Sequence, residues 1–255
     1  MMWQIGVIAF NTFRENLRDK ILYNLLFFAV ALIGASLLLA DLTIMEHRRI
    51  ITDMGLATIN LIGVIIAIFV GIGLVSKEIE RRTVYTIMAR PISRTQFVLG
   101  KYLGLVGTIS VNMAVMFLVY LGTLRVYLAP MHFSLLQALE LIFVELLLVT
   151  ALALFFSTFS TSTLSAIMTL GFYVVGHLTP DLRSLGQRST SEAMKVLVNG
   201  VYYLWPNLEL LNIKGQAATG AAIPLTYQLQ ASAYGLLYTA VLLTAACIIF
   251  QRRDF

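Results

Sequence analysis

Apolar positions in this chain fall in long unbroken runs, unlike the alternation of strands or the narrow stripes of soluble helices. A membrane span needs roughly 20 predominantly apolar residues, because a rise of about 1.5 Å per residue must cross about 30 Å of hydrocarbon. The runs at 21–40, 55–75, 102–124 and 231–250 meet this without a charged residue. The run at 135–156 has the length but carries Glu140 and Glu145. The run at 160–178 is shorter and opens on serine and threonine, whose hydroxyls can return hydrogen bonds to their own helix backbone. The pattern therefore predicts an all-α polytopic membrane protein with six transmembrane helices.

A different periodicity precedes the first run. Trp3, Val7, Phe10, Leu17 and Ile21 recur at steps of three, four or seven, while Asn11, Glu15 and Arg18 fall elsewhere. This predicts an amphipathic helix over 1–20 lying in the membrane interface, its aromatics at headgroup depth. The plainer alternative is an extension of the first span. Arg14, Arg18 and Lys20 precede a full-length span, so this segment does not have the form of a cleaved signal peptide.

Composition agrees with the pattern and narrows it. Of 255 residues, 59% are hydrophobic and only 12% charged, with a mean hydropathy of +0.85. A soluble domain carries about 25% charged residues, so a water-facing globular domain is excluded, and so is a disordered chain. The net charge of +5 is no argument for nucleic acid until its location is known. Lys and Arg concentrate in the N-terminal segment, in 76–101 and in the tail, with Arg252 and Arg253. The opposite side has Arg48, Arg49 and Arg125 in its short turns. By the positive-inside rule both termini are cytoplasmic, in a plasma membrane expected to be the bacterial inner membrane. The single cysteine, Cys247, sits in an apolar run and supports neither a disulfide framework nor a thiolate metal site.

The cytoplasmic segment 76–101 reads SKEIERRTVYTIMARPISRTQFVLGK. Its first half has good helix formers with Ile79, Val84, Ile87 and Met88 as an apolar set. Pro91 stops the helix at Arg90. Ser93 and Gln96 then have the spacing of a capping box, which predicts a new helix starting near Ser93 and running into the third span. The result is a helix–turn–helix elbow with Lys77, Arg81, Arg82, Arg90, Arg94 and Lys101 against Glu78 and Glu80, six of the 18 Lys and Arg. Topology alone needs only a basic loop. A mixed-charge helix with an apolar stripe suits a groove on another protein.

Glu78 or Glu80, Thr83, Pro91-Ile-Ser93-Arg94, Phe97 and Gly100-Lys101 resemble the corresponding loop of the ABC-2 permeases, the membrane subunits of type-2 ABC exporters. In that family an acid and a threonine precede a leucine-rich turn, a Pro-x-Ser-Arg step and a Gly-Lys start to the next helix. The layout of nearly the whole chain is similar as well: interfacial helix, six spans, a coupling helix between spans two and three, and a larger external element between spans five and six. The chain departs from the pattern at Arg82, where many relatives have glycine. Within the family it most resembles permeases of multicopper-enzyme maturation.

The resemblance implies a permease that forms half of a translocation pathway with a second copy or a paralogue, in membrane lipid, with room for an accessory protein. Glu78, Glu80, Arg81, Arg82, Thr83, Arg90, Pro91, Ser93 and Arg94 would then dock a separate ABC ATPase dimer. ATP and Mg would be bound by that partner, and this chain would carry no cofactor, no metal and no catalytic residue. The residues agree on one point: Gly100-Lys101 is followed by Tyr102 and preceded by Thr95 at the position of the first loop glycine, so it is not a phosphate-binding loop.

The external segment 179–230 is too long for an idle turn. Ser189 and Glu192 have capping-box spacing, and Ala193, Met194, Leu197, Val198, Val201, Leu204 and Trp205 follow at helical spacing until Pro206. Tyr202, Tyr203 and Trp205 mark this as a helix at the outer interface and a candidate gate; the plainer reading is a helix packed on the span ends. The stretch 215–222 is small and flexible. Glu140 and Glu145 are candidates for a pathway or subunit interface, since a carboxylate in hydrocarbon is costly. His47, His132 and His177 are scattered, and Met131-His132 lacks the clustered spacing of a metal site. Two other readings stand beside the transporter: a membrane-embedded enzyme of the intramembrane protease type, and a non-transporting sensor that docks the same ATPase. The protease reading lacks a Gly-x-Ser-x-Gly or HExxH motif and a facing aspartate pair.

Overall fold

The structure is a computed structural model that describes residues 2–41, 47–80, 93–126, 132–188 and 191–252. Among these residues the chain is helical and contains no strand. Helix α1 (Met2–Asn16) is followed by α2 (Lys20–Asp41), α3 (His47–Glu80), α4 (Arg94–Val126), α5 (Phe133–Ser157) and α6 (Ser162–Arg188). Then come α7 (Glu192–Leu204), a 3-10 turn (Leu208–Leu211), the short α8 (Lys214–Ala218) and α9 (Leu225–Arg252). Six helices among the described residues, α2 to α6 and α9, are long and apolar enough to cross a membrane.

The break after α1 has a local cause. The Asp19 carboxylate accepts from the backbone N–H of Ile21 at 2.9 Å and so caps α2, while Tyr23 donates to the Leu17 carbonyl at 2.7 Å. The expected stripe from Trp3 to Ile21 is therefore cut at Leu17. The capping box after the elbow forms as the spacing predicts: Gln96 N–H donates to Ser93 Oγ at 3.2 Å and Ser93 N–H to Gln96 Oε1 at 2.9 Å.

Several helix ends differ from the hydropathy boundaries; α3, for one, starts at His47, ahead of the 55 boundary. The fifth span, expected over 160–178, is Ser162–Arg188, continuing through Pro180. Pro180 lacks the N–H that would reach the Gly176 carbonyl, and the Thr179 hydroxyl beside it donates to the Val175 carbonyl at 2.8 Å. Asp181 and Arg183 end the apolar run without ending the helix, because hydropathy registers charge and not backbone geometry. The last helix likewise begins at Leu225, ahead of the 231 boundary.

Helices α3, α4, α6 and α9 pack on α5, while α2 lies outside on α3 and α4. The span of α5 is 78% buried and that of α3 72%, whereas those of α2, α6 and α9 are each only 22% buried. Those three present Phe27, Phe28, Ile167, Leu170, Leu237 and Val241 outward. Close approach inside depends on small residues. Gly63 meets Leu146, Gly71 meets Ala153 and Gly235 meets Val144, so α3 and α9 lie tight against α5. Buried Thr108, Thr150, Thr169 and Thr239 donate to the carbonyl four residues earlier, within their own helices.

Both ends of the bundle are defined by contacts. At one end α1 packs on the start of α4, Arg94 reaches the end of α9, and Asp19, Gly73 and Ser162 border a cleft of about 320 Å³. At the other end His132 lies against Gly220, whose φ of 70° favours glycine, and Gly176 lies under Leu208.

Candidate functional site

The acidic residues of the fourth span become interpretable once their neighbours are placed. Glu145 is 0% exposed in the middle of α5. Asn60 of α3 donates to its Oε2 at 2.8 Å, and His177 Nε2 of α6 lies 2.8 Å from its Oε1. Tyr173, one turn before His177, donates to Asn60 Oδ1 at 3.1 Å. The other histidine nitrogen, Nδ1, lies 3.1 Å from Oε2 of Glu209 on the 3-10 turn. Asn212 donates to both Glu209 oxygens, at 3.0 and 3.1 Å. A continuous polar chain thus runs from the bundle core, at Tyr173 and Asn60, through Glu145 and His177, to Glu209 at the surface.

Burial falls steadily along it, with side chains 0% exposed at Glu145, 19% at His177 and 42% at Glu209. A buried carboxylate is tolerable only when paired and hydrogen-bonded, and both Glu145 oxygens are engaged. The chemistry follows from the ring geometry. His177 faces a carboxylate on each nitrogen, so neither nitrogen is open to activate a nucleophile. No single ion could take Glu145, His177 and Glu209 as three ligands, because the imidazole separates the carboxylates. The arrangement is suited to holding helices and a proton.

Glu140 belongs to a separate clasp. Its carboxylate accepts from Ser232 Oγ at 2.8 Å and Gln228 Nε2 at 3.2 Å, both on α9, and Gln228 in turn accepts from Gln137 at 2.9 Å. The two acids therefore bind different helices, in keeping with the five-residue spacing that denies them a shared face. Both are engaged inside this subunit.

In the external segment, α7 packs on α6. Trp205 stacks on Phe172 with centroids 3.7 Å apart and donates from Nε1 to the Phe172 carbonyl at 3.0 Å. Tyr202 lies over the Arg183 guanidinium, 4.0 Å from ring centroid to Cζ. Tyr203 sits on the last turn of α7. The 3-10 turn that follows is tied to α9: Asn207 N–H donates to the Tyr234 hydroxyl at 2.8 Å and Tyr227 donates to the Leu210 carbonyl at 2.9 Å.

Of the elbow residues, Arg81, Arg82, Thr83, Arg90 and Pro91 lie outside the described residues, as do Ser189 and Thr190 of the second capping sequence. Glu78 and Glu80 fall on the final turn of α3. Ser93 caps α4, and Arg94 donates to the carbonyls of Phe250 and Gln251 at 3.3 and 3.0 Å. Phe97 stacks on Phe250 at 5.6 Å. The elbow thus rises from two long helices, with the C-terminal end of α9 fastened to its second stem.

Asn60, Tyr173, Glu209 and Asn212 escape sequence reasoning. A polar residue inside an otherwise apolar span was the signal available for Asn60. Nothing in the sequence pairs it with Glu145, 85 positions away.

Six apolar helices among the described residues, four of them packed on a polar-cored fifth, make this a multi-pass membrane protein. The family model described as ABC-2 family transporter protein matches residues 7–255, and the chain belongs to that family. It is a membrane permease subunit of an ABC transporter, and such permeases generally work with ABC ATPase partners. No curated protein matches the chain.

Proposed function

We propose that the chain forms half of the pathway of an ATP-driven exporter, coupled to a separate ATPase pair through the elbow at 76–101. The supporting observation is the mounting of that elbow. Helices α3 and α4, of 34 and 33 residues, are each roughly 50 Å long at about 1.5 Å per residue, well beyond the hydrocarbon thickness. The second stem is capped by Ser93 and Gln96 and fastened through Arg94 to the end of α9. A push on the elbow therefore acts on α4 and α9 together, and through α9 on the outer clasp at Glu140. The same end of the bundle carries α1 and most of the Lys and Arg, which supports cytoplasmic termini in a bacterial inner membrane.

Pairing of two such subunits completes the pathway in this reading, with ATP and Mg held by the partner ATPase. The test is co-expression with a candidate ABC ATPase subunit from the same organism, followed by purification through a tag on this chain. The ATPase is expected to co-purify, and Glu78→Lys with Glu80→Lys to abolish both its retention and its stimulation by the permease. The reading fails if the intact chain retains no ATPase and the charge reversal leaves transport unchanged.

A further inference from the structure

The hydrogen bonds at His177 have a consequence separate from ATPase coupling. Glu145 Oε1 and Glu209 Oε2 lie on the two imidazole nitrogens at 2.8 and 3.1 Å. A neutral imidazole has one N–H, so it can donate to only one of them. With both carboxylates ionised, satisfying both partners requires the imidazolium. If instead a carboxyl carries the proton, the neutral ring accepts from it and donates to the other. In either distribution the trio holds one proton more than two carboxylates with a neutral ring. Removing that proton sets a ring lone pair against a buried or half-buried carboxylate.

The His177–Glu209 hydrogen bond joins two parts of the fold, beside the ties that Trp205, Asn207 and Leu210 already make. His177 and Asn60 hold Glu145 within the spans, whereas Glu209 belongs to the turn Leu208–Leu211 that follows α7 and Trp205. The other facing groups are accounted for. Lys214 of α8 lies within electrostatic reach of His177, Tyr173 within reach of Glu145 and Glu209, and Tyr227 of α9 within reach of Glu209. On α7, Glu192 pairs with Lys195 at 2.9 Å and Tyr202 with Arg183. On α5, Glu140 is engaged by Ser232 and Gln228.

We propose that Glu145, His177 and Glu209 are a proton-binding latch, in which a bound proton tightens the turn Leu208–Leu211 on the membrane core and its loss loosens that turn, while Trp205, Asn207 and Tyr227 keep it attached. The proton leaves from His177 Nδ1 to the half-exposed Glu209 and from there to water; no other bond changes. Because the closed state binds one more proton than the open state, the latch is closed at low pH and opens as pH rises. Its side of the membrane is the one bearing α7, which is the outer side if the termini are cytoplasmic.

The test is hydrogen–deuterium exchange on the purified full-length chain in lipid nanodiscs, without ATPase, from about pH 5.5 to about pH 8.5, which brackets the ordinary histidine value. Protection factors normalised to the intrinsic rate at each pH are read for amides in 205–212. Wild type is expected to lose protection about tenfold on going from the acidic to the alkaline end, the scale of one charge-assisted hydrogen bond. His177→Gln and Glu209→Gln are expected to lose that dependence. A purely structural role would lower protection at every pH and leave the slope intact. The proposal is overturned if wild type shows no slope, or if the slope survives in either variant. Should His177→Gln fail to fold, Glu209→Gln decides, because its side chain is 42% exposed and its replacement leaves the buried hydrogen bonds in place. With no ATPase present, the outcome is independent of whether the elbow docks one.

Discussion

Arg94 Nη1 donates to the backbone carbonyl of Gln251 at 3.0 Å, joining residues 157 positions apart. One is in the first turn of α4 and the other in the last turn of α9. The last carbonyls of a helix have no partner within it, and a cation there also meets the negative end of the helix dipole. Arg94 supplies both, and the stacked rings of Phe97 and Phe250 fill the space beside it. Whatever a partner subunit adds, this arginine already connects the elbow to the far end of the chain.

Arg94→Ala is accordingly expected to fray the end of α9. Removal of the paired bonds should cost about 1–2 kcal/mol locally, seen as faster amide exchange at 247–252 with the rest of α9 unaffected. Arg94→Lys, which keeps the charge but not the fork, should fall in between. Unchanged exchange in Arg94→Ala would show that the interaction holds nothing in place.

The α1–α4 packing makes a second prediction. A Cβ at Gly104 would lie 2.6 Å from both the Ala9 carbonyl oxygen and Thr12 Cβ, and one at Gly100 would lie 2.7 Å from Ile8 Cβ. The nearest atoms at Gly104 include backbone, which cannot swing aside. Gly104→Ala should therefore displace α1 and destabilise by about 1–3 kcal/mol, read as a lower Tm and faster proteolysis within 2–16. Gly122→Ala, where a Cβ meets nothing within 4 Å, is the control and should be neutral or slightly stabilising.

The fold and the site were not equally legible. Long apolar runs announce spans because each residue votes independently for hydrocarbon, so the all-α polytopic class and the six spans could be read directly. Ser93 and Gln96 were legible too, since a cap is written within four residues. The run 160–178 misled at its end, because Asp181 and Arg183 stop hydrophobicity but not the helix. On α1, spacing found the outward face of Trp3, Val7 and Phe10 but not the inner one. That face meets α4 through Ile8, Thr12 and Asn16, with Asn16 donating to Thr108 at 3.2 Å. Small and polar packing of this kind leaves no hydrophobic periodicity. The Glu145 network was half legible: the cost of a carboxylate in a span flags the residue, but its partners sit on other helices and no one-dimensional pattern pairs them.

Glu145 gives the third prediction. Glu145→Leu keeps the volume roughly but strands the Asn60 amide and the His177 ring in the bundle core. Breaking a buried pair this way typically costs about 3–5 kcal/mol. Glu145→Gln retains a polar group able to meet both neighbours and should cost much less. Thermal unfolding in detergent should therefore rank wild type above Gln and Gln well above Leu. Asn60→Leu combined with Glu145→Leu should be less destabilised than the sum of the single changes, because one stranded partner has been removed. Additive effects in that cycle would show that the two side chains are not energetically coupled.

The exposed face of α1 carries the last prediction. Trp3 is 81% exposed, and Val7 and Phe10 are exposed beside it, while the opposite face is closed against α4. An apolar face of that size on a helix with Arg14 at its end has two outlets, water or the membrane interface. Water would leave the ring unsolvated by anything favourable, whereas the headgroup region accepts an indole whose body is apolar and whose N–H is polar. Trp3 should therefore sit shallow in lipid. In a Trp205→Phe background Trp3 is the only tryptophan of the two in the chain. Its fluorescence should be quenched more by lipids brominated near the top of the acyl chain than by lipids brominated near its end. Trp3→Ser with Phe10→Ser should weaken that anchoring and leave α4 in place, since neither side chain contributes to the glycine-lined packing. Ready quenching of Trp3 by aqueous iodide, with no effect of brominated lipid, would put α1 in water and remove the interfacial reading.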